Sequence, residues 1–351
     1  MAGAVSSREV RTASAIATGN CSAPANRTSR LSGKYRKYVR RVIPARSAIC
    51  VTVTSSYPRS ARDITGATGR GHQHHRRYAE TSTTIARACL PGGHYLDQAA
   101  DLTSVPRLLG LHDEAAAAGS TFVTGAGFGV LATEAVVAAL CEGRPVPAEV
   151  RVDALASVAV EAGALGTALA ASLVDVLATG GRRYATGAGR GTPRAGGGSC
   201  PARRRAVTSA EAPSAELVAA QRASGAPDVT ATTAMMPASP ALRAVLTVVG
   251  RLLALEPLRR MAVRRLAGIT GKPAPRPRTH SWGHAVVTWP DGTTREGWLK
   301  TGEAMDFTAG ASAEVAVRLA RGEGKPGAYT PAAAFGPGLA AAAGGELIIR
   351  P

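Results

Sequence analysis

"STFVTGAGFGVLATEAVVAAL", residues 120–140, decides how the chain is read. A short strand, STFVT (120–124), runs into a glycine loop and then into an apolar helix. Thr133 is placed to N-cap that helix, which extends to Leu140. Gly125, Gly127 and Gly129 are spaced GxGxG, not the GxGxxG of a dinucleotide loop. No acid follows on a second strand where a ribose would be read. Glycines in this pattern also suit a tight turn or close backbone packing.

Outward from this stretch the chain is organised from residue 84 onward. TIARACL (84–90) has a helical pattern, and PGGHYLDQ (91–98) turns into a strand. RLLGLHDEAAAAG (107–119) reads as a helix stopped by Gly119. Downstream, AEVRVDALASVAV (148–160) alternates as a strand and ALGTALAASLVDVLATG (164–180) is helical. Residues 186–206 are a glycine- and arginine-rich interruption that reads as a loop. Residues 241–268 form an amphipathic helical pattern. Leu252, Leu255 and Leu258 share its apolar face, and Arg251, Arg259, Arg260, Arg264 and Arg265 supply charge. A core-facing helix with a solvated basic side is favoured over a membrane-surface seat, and Pro257 should kink or split it. SWGHAVVTWPDGTTREGWLKT (281–301) reads as a hairpin about Asp291-Gly292 and holds all three tryptophans, Trp282, Trp289 and Trp298. A helix over 307–321, stopped by Gly322, precedes a Pro/Gly-rich tail.

Composition bounds the function. Of 351 residues 45% are apolar but only 4% aromatic. The core must therefore be mostly Ala, Val and Leu, which bury little area each. The formal net charge of +18 lies mostly in the first quarter of the chain. There GKYRKYVRR (33–41) has the make-up of a nucleic-acid patch, although an unstructured basic tail is the favoured reading. Five scattered cysteines without a CxxC suit reduced thiols and a cytoplasmic setting. No apolar run reaches the ~18 residues of a membrane span. No serine elbow, P-loop or HExxH occurs. His72, His74 and His75 lack an acid or thiol at ligand spacing. His280 and His284 would lie roughly 13 Å apart on a strand, so no metal is expected.

A second glycine loop, ITGATGRG (64–71), offers Gly66, Gly69 and Gly71 with Arg70. Arg70, Arg76 and Arg77 could attract the 2′-phosphate of NADP. The following HQHHRRYAE (72–80) shows no apolar face with which to dock a helix on a sheet.

Several segments resemble, in the right order, the saccharopine-dehydrogenase-like oxidoreductases. They are IARACLPGGHYLDQAAD (85–101), LHDEAAAAGSTFVTGAGFGVLATE (111–134), GALGTALAASL (163–173) and the stretch from WPDGTTREGWLKT to AAAFGP (289–337). The resemblance covers residues 84–351. It implies an NAD(P)-dependent hydride transfer to a small-molecule substrate in an interdomain cleft. Tyr95, Asp97, Gly127 and Phe128 would line that cleft, with roles in orientation and polarisation. No catalytic residue is assigned. By the same resemblance GAGFG is the crossover into the second domain, and Gly66, Gly69, Arg70 and Gly71 hold the cofactor. Gly129, Ala132 and Glu134 stand where the family usually has an acid, a proline and an aspartate.

The interval from Gly71 to His94 is too short for the family's βαβαβ unit, and residues 1–63 match nothing in it. They read as a divergent segment or one translated in another reading frame. The fold class expected is α/β: an incomplete Rossmann-like nucleotide-binding domain plus an α+β substrate domain with a mixed or antiparallel sheet. The layout expected is a basic unstructured segment (1–63), the nucleotide-binding remnant (64–131), a substrate or dimerisation domain (132–306), and a C-terminal helix and tail packing back on the first domain (307–351). NADP or NAD would bind weakly or not at all. A homodimer is an expected partner state; nucleic acid and a membrane surface are disfavoured. The alternative is a non-catalytic binding or oligomerisation module.

Overall fold

The computed structural model describes residues 49–52, 73–160, 162–179, 183–185, 188–190, 195–199, 206–211, 213–233, 240–253 and 255–350. Along the chain run β1 (Ile49–Thr52), α1 (Gln73–Ala88), β2 (His94–Asp97), α2 (Ser104–Leu109), α3 (His112–Ala117), β3 (Thr121–Val123) and α4 (Phe128–Cys141). Next come β4 (Glu149–Leu155), β5 (Gly163–Ala164), α5 (Gly166–Thr179), β6 (Arg183–Ala185), β7 (Ala188–Arg190), β8 (Ala195–Ser199) and β9 (Ala206–Glu211). Then α6 (Glu216–Ser224), β10 (Asp228–Thr233), α7 (Pro240–Leu253), α8 (Glu256–Ala267), β11 (Thr270–Gly271), β12 (Ser281–Thr288) and β13 (Thr294–Thr301) follow. The chain ends with α9 (Ala304–Ala320), β14 (Gly327–Tyr329), α10 (Pro331–Phe335), α11 (Gly338–Ala342) and β15 (Glu346–Ile349).

The fold is mixed α/β. One sheet is four-stranded and parallel, ordered β1-β2-β3-β14. Among the described residues a second sheet has nine strands, with β15-β13-β12-β4-β10-β6-β7 as its main path, and β5 pairs with β11 as a third. Within the nine-stranded sheet only the β4–β10 pair is parallel; its other pairs are antiparallel. Alternation along β4 sends Val150 and Val152 into the core and Arg151 and Asp153 to the opposite face. Helix α4 is apolar all round because it is covered all round. It packs on β12, β13 and β4 on one side, and against α6, α9 and the short C-terminal helices on the other. Leu131, Ala132, Ala135, Val136 and Leu140 are fully buried there.

The structure corrects several expectations. Helix α4 begins at Phe128 with Gly127 as N-cap, five residues before Thr133. Thr133 instead lies inside the helix, its hydroxyl donating to the Gly129 carbonyl at 2.9 Å. The expected helix over 107–119 is two short helices, α2 and α3, separated at Gly110. Residues 73–80, which lack an apolar pattern, nevertheless open helix α1. The supposed loop 186–206 carries β7 and β8. Pro257, as expected, splits the 241–268 pattern: it sits in the first turn of α8, where its missing N–H costs nothing. Helix α9 starts at Ala304 because the Glu303 carboxylate caps it, accepting from the amides of Met305 at 2.7 Å and Asp306 at 2.8 Å. The segment 1–63, expected to be unstructured, supplies β1; its other residues lie outside those described.

Candidate functional site

Gly66, Gly69, Arg70 and Gly71, the candidate cofactor loop, lie outside the described residues. Of the four cleft candidates, Tyr95 and Asp97 lie on β2 and hydrogen-bond to each other, while Gly127 and Phe128 open α4 just after β3. Asp97 ends β2 and is buried. Its Oδ1 accepts from the Thr124 hydroxyl at 2.7 Å and from the amides of Ala99 and Gly125, each at 3.1 Å. Its Oδ2 accepts from the Tyr95 hydroxyl at 3.0 Å. Burial raises the carboxyl's pKa, and these four donors oppose the rise. Tyr95 is fully buried, its ring edge-on to Phe122. Both side chains therefore spend their polar atoms inside the protein.

The crossover itself is tight. Gly125 has φ +81°, and a Cβ there would press on Val130. Each amide through the turn is taken. Gly125 N–H goes to Asp97 Oδ1, Ala126 N–H to the Asp97 carbonyl at 2.9 Å, and Gly127 N–H to the Gly125 carbonyl at 2.7 Å. Phe128 N–H donates to the Thr308 hydroxyl at 3.0 Å. From α9, Ser312 Oγ donates to the Ala126 carbonyl at 2.9 Å, and Gln98 Nε2 donates to Ser312 Oγ at 2.6 Å. Phe128 is buried edge-on against Phe307 of the same helix. A phosphate held at a helix start needs free N–H groups. The four amides of residues 125–128 are all spent on acceptors within the protein.

Two buried acids stand on or beside α4. A Cβ on Gly129 would run into the carboxylate of Glu216, from α6. Glu216 is buried, which raises its pKa, and its Oε2 has no hydrogen-bond partner among the described residues. Glu134 reaches from α4 to the first turn of α10. It accepts from the Thr330 hydroxyl and from the amides of Ala332 at 2.9 Å and Ala333 at 3.1 Å. Burial pushes its pKa up to about 7 against those donors.

A second polar constellation was invisible in sequence. One row crosses the nine-stranded sheet as Thr232, Asp153, His284 and Trp298. His284 Nδ1 meets Asp153 Oδ2 at 2.8 Å, and its Nε2 meets Glu296 Oε1 at 2.9 Å. Its ring stacks on Trp298, whose indole in turn lies 4.6 Å beneath the Arg350 guanidinium. Arg151 donates to Asp153 Oδ1 at 2.9 Å, and the Thr232 hydroxyl donates to the same oxygen. Burial raises the Asp153 pKa, but the His284 hydrogen bond, Arg151 and Thr232 outweigh it and hold the carboxyl at about 2. The available signals were an acid within the alternating strand RVDAL and a histidine opposite it. Neither alone gives the pairing. Both ring nitrogens are occupied, so the cluster is a closed cross-strand network. Among the described residues no three His, Cys, Asp or Glu side chains converge as a metal site would require.

Comparison with known proteins gives a structural likeness alone. No protein-family model matches the chain, and no curated protein matches it. Among solved structures, the chain is similar to apo histidine-tagged saccharopine dehydrogenase (L-Glu forming) from Saccharomyces cerevisiae. The TM-score is 0.43 at 10% identity, over 78% of this chain and 82% of that one. No helix among the described residues is long and apolar enough to cross a membrane.

Proposed function

We propose that the chain is a saccharopine-dehydrogenase-like oxidoreductase, built to exchange hydride between NADP or NAD and a small-molecule substrate, with an impaired nucleotide-binding half. One observation carries this reading. Two parallel strands end side by side at Asp97 and Val123, and the turn after them leads directly into the central helix of the second sheet. Open α/β sheets place their ligands outside the carboxyl ends of such strands. The bound nicotinamide would supply the redox chemistry; the chain's part is to position substrate and exclude water. Gly127, half-buried, is the cleft candidate with backbone nearest solvent, while Tyr95 and Asp97 brace the turn from beneath.

The strand order among the described residues supports the impaired reading. A dinucleotide crevice forms where the order of a parallel sheet reverses. The described strands β1, β2 and β3 step one way, and β14 extends the same edge. The reversal would have to lie on the far side of β1. A second reading, a non-catalytic module derived from the same fold, is favoured by the closed hydrogen bonding of Asp97 and Tyr95. A chain preceded by a complete family-type nucleotide-binding domain in place of residues 1–83 separates the two. The oxidoreductase reading expects that chimera to bind NADPH and to oxidise it when a substrate panel is supplied. NADPH binding without turnover on any substrate would favour the module.

A further inference from the structure

The two helices after residue 240 do not bury the face that their sequence suggested. Val245, Val248 and Leu252 of α7, the linking Leu255 and Met261 of α8 are each 50% to 57% exposed. Leu252 and Leu255 were expected to face the core; instead the inner side is made by other contacts. Arg259 is buried and pairs with Asp175 of α5, and Gly250 lets α7 close on the backbone of Leu177. With those contacts fixing the rotation of both helices, the spacing of three and seven residues in α7 leaves one apolar stripe outward.

Arginines flank that stripe. Arg251, Arg260, Arg264 and Arg265 are exposed, and the sole acid in the two helices is Glu256, which pairs with Arg260 at 2.7 Å. Pro257, Arg260, Met261, Arg264 and Arg265 line an open hollow of about 420 Å³. Isolated surface hydrophobics need no explanation, but a contiguous row rimmed by one sign of charge does. We propose that the outer face of α7 and α8 docks on an anionic lipid surface, the apolar row entering the headgroup boundary and the arginines meeting lipid phosphates. Charge selects this occupant over a second copy. A two-fold interface would set the same arginines of both copies against each other. The proposal is independent of the oxidoreductase reading.

Co-sedimentation of the full chain with phosphatidylcholine vesicles, with and without phosphatidylglycerol, tests it. Binding is expected to the anionic vesicles, weakening as salt rises, and to be slight on neutral ones. L252D/L255D should lower partitioning at least about tenfold, and R264E/R265E by a similar factor. Both pairs are surface positions, so the melting curve should be unchanged. K37S/R40S/R41S, in the basic N-terminal cluster, should leave binding within about twofold, since the docking face is formed by α7 and α8. As a measurement that does not rest on loss of function, L255W should be quenched by brominated lipid beyond the quenching of the native tryptophans. The proposal is overturned by undiminished binding of L252D/L255D, or by loss confined to the N-terminal variant. It is equally overturned if the native chain ignores anionic vesicles while L252D/L255D converts a dimer to monomer.

Discussion

The four-stranded sheet draws its strands from residues 49–52, 94–97, 121–123 and 327–329, so its last strand arrives some two hundred residues after its neighbour. Toward one edge of the nine-stranded sheet, β12 and β13 are eight residues each and pair along their whole length across one short turn. The hairpin carries its own register. The parallel sheet borrows its register from the crossovers and from α9, whose Thr308 and Ser312 bind the turn at Gly125–Phe128. A sheet of the second kind loses its definition when a connecting unit is shortened, whereas a hairpin does not. The parallel sheet is thus the half in which a missing βαβ unit would matter, and the larger sheet stands without it.

The largest expected effect falls on the larger sheet. Trp298 is 1% exposed, stacked on His284 and packed with Leu155, Trp282 and Ile348. Trp298→Ala should cost about 3–5 kcal/mol in denaturant unfolding. A cost below about 1 kcal/mol would mean that the row Asp153–His284–Trp298 does not hold the sheet together.

Two buried carboxyls, one at the junction and one in the larger sheet, should titrate stability in opposite directions. Glu134 holds its proton to about pH 7 when folded, against an ordinary value of 4.5. The folded chain then binds the extra proton, so stability falls as pH rises from 4.5 to 7, by up to about 3 kcal/mol. Asp97 and Glu216, also raised, act with the same sign. Asp153 is held at about 2 against 3.8. Its contribution, about 2 kcal/mol, is present above pH 4 and lost as pH falls toward 2. Urea midpoints across pH should peak between these limbs. E134Q should flatten the neutral limb and D153N the acid one; a single limb altered by both variants would contradict the assignment.

The smallest effect belongs to the hairpin turn. Trp289–Thr293 closes through Gly292 N–H to the Trp289 carbonyl at 3.0 Å, with Gly292 at φ +84°. This is a longer loop than a two-residue Asp-Gly turn, and it places the glycine where the strands need a left-handed residue. Gly292→Val should cost about 1–2 kcal/mol through backbone strain alone, since a Cβ there meets nothing within 4 Å. An unchanged melting temperature would show that the turn relaxes freely.

What was legible in sequence divides along the same line. The alternation of β4 and β12, the turn at Asp291-Gly292, the glycine loop into an apolar helix, and Pro257 as a breaker are all local signals, and the elements formed where those residues stand. The start of α4 was misplaced because Thr133 could bond its own helix as readily as cap it. Residues 186–206 were read as loop because glycine-rich composition hides strands that form only by pairing, as β8 does with β9. The exposed row on α7 and α8 was read as core because periodicity gives the angle between faces, not which face is covered; the Arg259–Asp175 pair that decides it is a long-range contact. The same limit hid the Asp153–His284–Glu296 network and the reach of Glu216 to Gly129.

NADPH titration of the full chain tests the proposed oxidoreductase with its impaired nucleotide-binding half. Arg70, Arg76 and Arg77 offer a charge attraction to the 2′-phosphate that salt screens over ~8 Å. The account predicts a dissociation constant no tighter than high micromolar that weakens further as salt is raised. A submicromolar constant insensitive to salt would contradict it and would show that the short loop at Gly66–Gly71 completes the site.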